Sequence, residues 1–286
     1  MITFVTFHVD TSKETSDQIP NLHTGFKHKK FYELMINLLF RSISIYHENC
    51  RKVVLTDYST EITGLQNDVE LYRVEIDTKY LMLSRLKAQI EFLTNHDFSS
   101  DVVFLDADIL VNKNLESVFE KDFNVGLTYR ETHKTMPVNG AVIFVSNTNK
   151  EYALHFLNKI HDIYTEKYLN HSLWWGDQYA LIDAIGHEKF LHRTSEFIQI
   201  DRVKILLLPC DYYNFSPQPN FSSIAFELSD KKIIHFKGKR KKLINPYWMT
   251  YLNIQENSNF VNFMQSIFYR LSILAYFLLD RFKFVK

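Results

Sequence analysis

Two aspartates, Asp106 and Asp108, interrupt an otherwise apolar run between Asp101 and Val111. In a β-strand, successive side chains point to opposite faces, so residues two positions apart share one face. Desolvating two carboxylates inside an apolar segment is costly unless a cation compensates for it. Carboxylate oxygens suit Mg²⁺ or Mn²⁺, which often keep coordination positions open for phosphate and water. The pattern favours a divalent-metal site that holds a diphosphate; the alternative is a solvated Asp-x-Asp turn.

Two further polar pairs are of the type that binds sugar hydroxyls. Asn139 and Gly140 directly precede an apolar run, where an amide could bind a hydroxyl and a glycine would permit close approach. Asp177 and Gln178 follow two tryptophans in the segment 171–180, and aromatic rings pack on the C–H faces of sugars. Each pair also has a structural interpretation, as an ordinary turn or as a helix N-cap whose tryptophans lie in the core.

A third motif begins at His235, where a short apolar run ends and a basic stretch follows. Lys241 lies six positions beyond His235. An imidazole could complete a cation site begun by two carboxylates, and a lysine could meet a leaving diphosphate as a point charge. Alone, such a histidine or such a basic turn is more often structural. Their combination with Asp-x-Asp favours one shared site.

Short apolar runs alternate with amphipathic stretches along the chain. Helical spacing of apolar residues predicts helices around 31–45, 83–93 and 153–164. The predicted strands are 2–7, 53–56, 71–76, 102–105, 125–128, 141–145, 205–208 and 233–236. This alternation predicts an α/β fold with a mainly parallel, twisted sheet covered on both faces. Ligands of such sheets bind at the carboxyl ends of strands, where Asp106 and Asp108 lie.

Composition excludes several classes of function. Lys+Arg and Asp+Glu both total 33 in a chain of 286 residues, so the charge gives no reason to expect a nucleic-acid partner. Cys50 and Cys210 have no metal-type spacing and suggest no disulfide framework, which favours a reducing compartment. The N-terminus lacks the pattern of a signal peptide. No run approaches the roughly 18 apolar residues of a membrane-spanning helix. We expect a soluble, cytoplasmic protein.

In their order along the chain, these motifs resemble the retaining glycosyltransferases of family 8, the group of glycogenin and of bacterial lipopolysaccharide galactosyl- and glucosyltransferases. That family has a strand ending in Asp-x-Asp, an Asn-Gly pair, an Asp-Gln pair, a Leu-Pro segment ending in Asn, and His-Phe-x-Gly-x-x-Lys. The matching segments here are 104–110, 139–140, 177–178, 208–214 (with one extra residue) and 235–241. The resemblance covers approximately residues 1–250.

The resemblance implies a GT-A fold, a nucleotide-sugar donor that is most often UDP-linked, and Mn²⁺ or Mg²⁺. It implies transfer of a hexose, with retention, to a glycan, a lipid-linked glycan or another hydroxyl acceptor. Asp106, Asp108 and His235 would coordinate the metal. The diphosphate would be supported by Arg85, Gly238 and Lys241, with Asp106 beside it. The transferred sugar would be lined by Asn139, Asp177 and Gln178.

Two departures from the family pattern affect these expectations. Thr6 and His8 would lie at the nucleotide, but His8 and Asp10 stand where the family carries its uridine contacts, which leaves the nucleobase open. The Pro-Trp that usually follows the last lysine is replaced by Lys242-Leu243, so this loop is expected to close differently.

Two other classes of function compete with the transferase. A haloacid-dehalogenase-type phosphatase also uses a strand ending in Asp-x-Asp, and Ser146 and Asp183 could imitate its later motifs. The phosphatase interpretation gives no role to His235 and Lys241. Release of phosphate from a generic aryl phosphate would support a phosphatase. A non-catalytic nucleotide-sugar-binding module would bind the donor without hydrolysis or transfer.

The C-terminal tail, residues 251–286, is set apart from the domain at 1–250. Residues 260–286 are dense in Phe, Tyr, Leu and Ile and carry Arg270, Asp280, Arg281, Lys283 and Lys286. The composition is typical of an amphipathic helix on a membrane surface, with its basic residues toward anionic headgroups. The resemblance agrees, because family members that act on lipid-linked glycans often carry such a tail. The alternative is a helix packed on the catalytic domain or in a dimer interface.

Overall fold

The computed structural model describes residues 1–11, 26–97, 99–130, 133–169, 174–191 and 195–282. Its strands are β1 Ile2–Phe7, β2 Cys50–Thr56, β3 Val69–Arg73, β4 Asp101–Leu105, β5 Ile109–Val111, β6 Val125–Tyr129, β7 Val138–Val145, β8 Phe197–Ile200, β9 Val203–Pro209 and β10 Ile233–His235. Eight of them form one sheet in the order β3-β2-β1-β4-β7-β6-β9-β8, and β5 pairs with β10 in a second sheet. The predicted α/β fold is confirmed.

Six of the eight strands in the large sheet point the same way, since only β7 and β8 run antiparallel to their neighbours. The prediction of a mainly parallel sheet is therefore confirmed. The reversal of β7 has a consequence for the site. It places the first residues of β7 beside the carboxyl end of β4, where the Asp106 N–H donates to the Ala141 carbonyl at 2.9 Å.

Helices cover both faces of the large sheet. Their bounds are α1 Phe26–Tyr46, α2 Leu81–Asn95, α3 Lys150–Ile163, α4 Gly176–Ile185, α5 His187–Leu191, α6 Cys210–Tyr213, α7 Ile244–Tyr247, α8 Asn253–Glu256 and α9 Phe260–Arg281. One buried apolar cluster joins the sheet to α2, α3 and α4, and a second joins the opposite face to α1. The three predicted helices are all present, with longer bounds than the apolar spacing alone indicated.

The predicted strands are all present, but two further strands, β5 and β8, were not predicted. The third predicted strand, 71–76, is observed as Val69–Arg73, because β3 is the edge strand and its ladder with β2 ends at Arg73. Residues 139–140, expected just before a strand, are part of β7. The short β5 is the more consequential omission, because its antiparallel pairing with β10 sets His235 opposite Ile109.

The C-terminal segment packs on the side of the domain that carries α1 and β10. Tyr247 and Trp248 are buried in a third apolar cluster, to which α9 contributes the buried side chain of Ile273. Most other large apolar side chains of α9 are exposed. In the described part of the chain, no helix has both the length and the apolar character needed to cross a bilayer. Lys283 and Lys286 lie outside the described residues.

Candidate active site

A cavity of about 1060 Å³ opens at the carboxyl ends of β1 and β4, where the sequence places Asp106 and Asp108. Its volume is slightly above the usual range for ligand pockets, about 300–1,000 Å³. Its polar lining includes eleven of the residues singled out in the sequence. These are His8, Asp10, Arg85, Asp106, Asp108, Asn139, Asp177, Gln178, His235, Gly238 and Lys241. Thr6 is buried in β1 and does not line the cavity, whose β1 wall begins at Phe7.

The two aspartates and His235 converge at the floor of this cavity. His235 Nε2 lies 3.1 Å from Asp108 Oδ1 and 3.9 Å from Asp106 Oδ2. Local backbone pairing produces this approach, since the Phe236 N–H donates to the Asp108 carbonyl at 2.8 Å. The three side chains offer ligand atoms that all lie within 4.8 Å of one another. Residues from two distant parts of the sequence therefore form one compact group.

Asn214 fixes the orientation of the His235 ring. Its Oδ1 is 2.8 Å from His235 Nδ1, so the Nδ1–H can donate to it, and Nε2 is left facing the aspartates. Asn214 Nδ2 in turn donates to Thr128 Oγ1 and to Asn139 Oδ1, both at 2.9 Å. Sequence reasoning quoted Asn214 as the end of a motif but gave it no role. The available signal was a polar amide six positions after the predicted strand 205–208.

The two carboxylates of the cluster have opposite pKa shifts. Burial would raise the pKa of Asp108, but the adjacent His235 and Lys241 outweigh burial and hold it well below its usual range. Lys241 Nζ is 2.7 Å from Asp108 Oδ2. Burial raises the pKa of Asp106, and the charges of Asp108 and Asp177 add to this rise against the effect of Arg85. Asp106 is the more open of the two, with 30% of its side chain exposed against 10% for Asp108.

Arg85 of α2 bridges the cluster to α4. Its Nη1 donates to Asp106 Oδ1 at 2.6 Å, and its Nη2 donates to Asp177 Oδ2. Only 11% of the Arg85 side chain is exposed. Because both terminal nitrogens bind carboxylates, the guanidinium serves to hold Asp106 and Asp177 in place.

The expected sugar-contacting residues lie together on β7 and α4. Asn139 Nδ2 donates to Gln178 Oε1 at 3.2 Å, while Asn139 Oδ1 accepts from Asn214 and from the Ala141 N–H. The Asp177 carboxylate is fully engaged, since Oδ1 accepts from the Gln178 N–H at 2.8 Å and Oδ2 from Arg85. Neither the second Asn139 N–H nor Gln178 Nε2 has a partner among the described residues, and these donors can bind hydroxyls.

Two glycines are required by the geometry of the site. A Cβ on Gly140 would lie 3.2 Å from Asp177 Oδ2 and 3.6 Å from Arg85 Nη2. The group that closely approaches this glycine is therefore the ion pair between Arg85 and Asp177. Gly238 has a φ of +60° in the turn after β10, a conformation that favours glycine.

At the other end of the cavity, the wall at the end of β1 is aromatic and charged. The His8 ring stacks on Tyr32 with a centroid distance of 5.3 Å. Lys29 Nζ lies 3.1 Å from Asp10 Oδ2. A planar ring pair beside polar groups suits a nucleobase and leaves its identity open.

The tryptophan segment is only partly described. Trp174 and Trp175 line the cavity, and 45% of Trp175 is exposed, so Trp175 does not lie in the core. Asp177 lies in the first turn of α4, one position after Gly176, and Trp175 occupies the N-cap without a side-chain capping bond. His171 and its two following neighbours lie outside the described residues.

Besides Lys29, three cations that sequence reasoning did not single out line the cavity: Arg130, Lys237 and Arg240. Burial lowers the pKa of Lys237, and the nearby guanidinium groups of Arg130 and Arg240 lower it further. The basic run after His235 was the available signal for two of them.

The cluster at the cavity floor has the donor chemistry of a divalent-metal site. Metal ligands must be deprotonated, and here the pKa of Asp108 is held low, while the Nε2 of His235 is turned toward both aspartates. A histidine whose other nitrogen is held by an amide oxygen is the usual arrangement of a metal-bound imidazole. Two carboxylates and one imidazole suit Mn²⁺ or Mg²⁺ with positions left open.

Comparison with known proteins identifies the fold. No family model matches the sequence, and no curated protein matches it. The solved glycosyltransferase GlyE of Streptococcus pneumoniae TIGR4 matches with a TM-score of 0.52 at 13% identity, over 90% of this chain and 62% of GlyE. The chain thus spans less than two thirds of GlyE. The galactosyltransferase LgtC, solved with donor and acceptor sugar analogues, matches with a TM-score of 0.49 at 15% identity, over 82% of this chain and 87% of LgtC. By its likeness to GlyE, this chain has the GT-A fold of glycosyltransferases.

Proposed function

We propose that this protein is a metal-dependent glycosyltransferase. It moves a hexose from a nucleotide-diphosphate sugar, with UDP as the expected nucleotide, to a hydroxyl of a glycan or other acceptor. The observation that carries the proposal is the convergence of Asp106, Asp108 and His235 at the floor of the cavity. The phosphatase alternative gives no role to His235 and Lys241, yet both contact Asp108.

The residues of the site have different proposed roles in glycosyl transfer. Glycosyl transfer passes through an oxocarbenium-like state while negative charge accumulates on the departing diphosphate. Mn²⁺ or Mg²⁺ held by Asp106, Asp108 and His235 would neutralise part of that charge. Lys241 lies beside Asp108 and can move its ammonium onto the diphosphate. Arg85 acts as a positioning residue, because it binds two carboxylates.

The stereochemical proposal is retention of the anomeric configuration. An inverting transferase needs a general base on the acceptor side, and Asp177 is the residue type that could serve. Both oxygens of Asp177 already accept hydrogen bonds, one of them from Arg85, which opposes that role. NMR analysis of the anomeric configuration of the product distinguishes the two reactions, and an inverted product would contradict retention.

We also propose that α9 binds an anionic membrane surface. Its exposed face includes Phe260, Phe268 and Leu271, which are 76%, 67% and 61% exposed. Arg270 and Arg281 of the same helix are exposed as well. Exposed apolar residues with neighbouring cations on one helix are typical of interfacial binding to anionic lipid.

A donor screen tests the transferase directly. UDP-, GDP- and CDP-linked glucose and galactose are incubated with the protein and Mn²⁺, with EDTA as the metal-free arm, and release of nucleoside diphosphate is measured. We expect turnover of one nucleotide class that EDTA abolishes. Asp108→Ala should abolish kcat instead of raising KM alone, whereas Asp211→Ala, which removes an exposed aspartate away from the cavity, should be unaffected. A near-normal kcat in Asp108→Ala would refute the assignment.

A further inference from the structure

The cavity has a cationic end opposite its nucleobase end. Arg130 directly follows β6, and Lys237 and Arg240 lie in the turn after β10. In the sheet, β4 ends at the metal cluster, with β1 on one side and β7 and then β6 on the other. Strands lie about 4.8 Å apart, so the end of β6 is about 10 Å from the end of β4. Arg130 therefore lies beyond the metal cluster, on the side away from β1.

These three side chains, the cationic group, lie close to one another. The Arg240 N–H donates to the Lys237 carbonyl at 3.2 Å, and both residues line the same cavity as Arg130. The main chain at Arg130 is anchored by donation from its N–H to the Pro137 carbonyl at 2.6 Å. Arg240 Nε donates to the Pro217 carbonyl. Two of the three members are thus held where they face the cavity.

The cationic group differs from the other cations of the cavity in having no anionic partner. Arg85, Lys241 and Lys29 each contact a carboxylate. Among the described residues, no ion pair joins Arg130, Lys237 or Arg240 to a carboxylate. The groups that act on Lys237 in the opposite sense are the buried Cys210 thiol, whose own pKa is raised by burial, and Asp108, which is already paired. Like charges held together in a partly buried site repel each other, so an anionic ligand would stabilise the group.

On the basis of the proposed transferase function, we propose that Arg130, Lys237 and Arg240 bind a carboxylate or phosphate group carried by the acceptor sugar. The donor diphosphate already has its partners in Lys241 and the metal ligands. The nucleobase is expected at the β1 end, so the acceptor enters from the opposite end, where the cationic group lies. Guanidinium groups bind carboxylates and phosphates with paired hydrogen bonds, which gives both affinity and orientation.

The test compares sugars that differ only in charge at C6. The probes are methyl β-glucoside, methyl β-glucuronide and methyl β-glucoside 6-phosphate, together with the same three sugars in the galactose series. Binding to the full chain is measured by calorimetry in the presence of Mn²⁺ and UDP. The variants are Arg130→Gln and Lys237→Met. Lys239→Gln is the matched control, because Lys239 belongs to the same turn but is exposed and does not line the cavity.

We expect the charged sugars of at least one series to bind about tenfold or more tightly than the neutral one, as charge-assisted hydrogen bonds would give. The ratio of the affinities for the charged and the neutral sugar should fall towards one in Arg130→Gln and Lys237→Met and persist in Lys239→Gln. In all three variants, the affinity for UDP should change by less than about twofold. The ranking of carboxylate against phosphate identifies the natural group.

Two results would overturn this proposal. One is the absence of any charged-over-neutral preference in the unmodified protein, including failure to bind the charged sugars at all. The other is a loss of UDP affinity in the variants as large as the loss of sugar affinity, which would place the cationic group at the donor diphosphate. Failure of the transferase function itself is distinguishable, because it appears as absent metal-dependent turnover in the donor screen.

Discussion

At the scale of single residues, the site depends on a chain of buried and half-buried amides as much as on the charged groups. Gln178, Asn139 and Asn214 are joined by hydrogen bonds that end at the His235 ring. The chain connects the expected sugar-binding residues to the metal cluster. Asn214 occupies the decisive position, since its Oδ1 determines which nitrogen of the imidazole faces the aspartates.

Replacing Asn214 by Leu should weaken metal binding while leaving all three ligands in place. The ring would lose its fixed tautomer and orientation, and such substitutions typically cost about 10–100-fold in metal affinity. The measurement is the Kd for Mn²⁺, with Asn214→Asp as the conservative variant that can still accept from Nδ1 and should retain most of the affinity. Equal Mn²⁺ affinity in Asn214→Leu and the unmodified protein would contradict this role.

Replacing Arg85 by Met should destabilise the protein in a pH-dependent manner. Burial raises the pKa of Asp177, and loss of Arg85 would raise it further above the unfolded value. When the pKa of a carboxyl is higher in the folded than in the unfolded protein, the folded state binds the proton more tightly. The free energy of unfolding therefore falls as the pH rises from the unfolded pKa to the folded pKa. We therefore expect a deficit of about 3–5 kcal/mol at pH 8 and a smaller one at pH 5, measured by urea denaturation without metal.

The exposed pair Arg51–Glu70 supplies the control for this prediction. Its bidentate contact lies at the surface, with 52% of Glu70 exposed, so Arg51→Met should cost less than about 1 kcal/mol. Equal deficits for Arg85→Met at pH 5 and pH 8 would show that Arg85 does not lower the pKa of Asp177.

At the scale of elements, the strand that carries the aspartates was predictable and the strand that completes their site was not. The apolar run of β4 is a local signal, and helical spacing is equally local. The three residues of β5 give no period of their own, and their pairing with β10 joins segments that are distant in the sequence. The motif resemblance indicated that His235 belongs with Asp108, and this pairing is the physical cause.

The start of α4 depends on Gly176, its first residue, which directly precedes Asp177. A Cβ on Gly176 would lie 2.1 Å from Cε2 of Tyr164, whose side chain is almost fully buried. Gly176→Ala should therefore displace α4 and destabilise the protein by about 1–3 kcal/mol, as overpacking does. The double-mutant cycle with Tyr164→Ala tests the cause by chemical denaturation. The cost of Gly176→Ala should shrink in that background, and an unchanged cost would rule out the clash.

At the scale of the whole molecule, the sheet order arranges the three proposed binding regions of the cavity side by side. The wall proposed to bind the nucleobase belongs to β1, the candidate metal ligands follow β4 or end β10, and the cationic group lies at the end of β6 and in the turn after β10. Sequence patterns predicted all the strands except β5 and β8, but not their order, because order is decided by which apolar faces pack together. The division into a domain at 1–250 and a tail at 251–286 stays a prediction.

The exposed face of α9 provides a prediction at the same scale. A variant with Phe263→Gln, Phe268→Gln and Leu271→Gln keeps the buried Ile273 and should still fold. It should lose co-sedimentation with vesicles that contain anionic phosphatidylglycerol, which the unmodified protein should retain. Tyr58→Gln, at a residue that is 70% exposed and distant from α9 in sequence, is the control. Equal pelleting of all three proteins would exclude α9 as the membrane contact.

The most direct test of the central claim is a titration of Mn²⁺ into the protein with UDP present, followed by the electron paramagnetic resonance signal of free Mn²⁺. The account predicts one bound ion per chain and loss of that ion in Asp108→Asn and in His235→Ala. Mn²⁺ binding that is unchanged in both variants, or no Mn²⁺ binding by the unmodified protein, would contradict it.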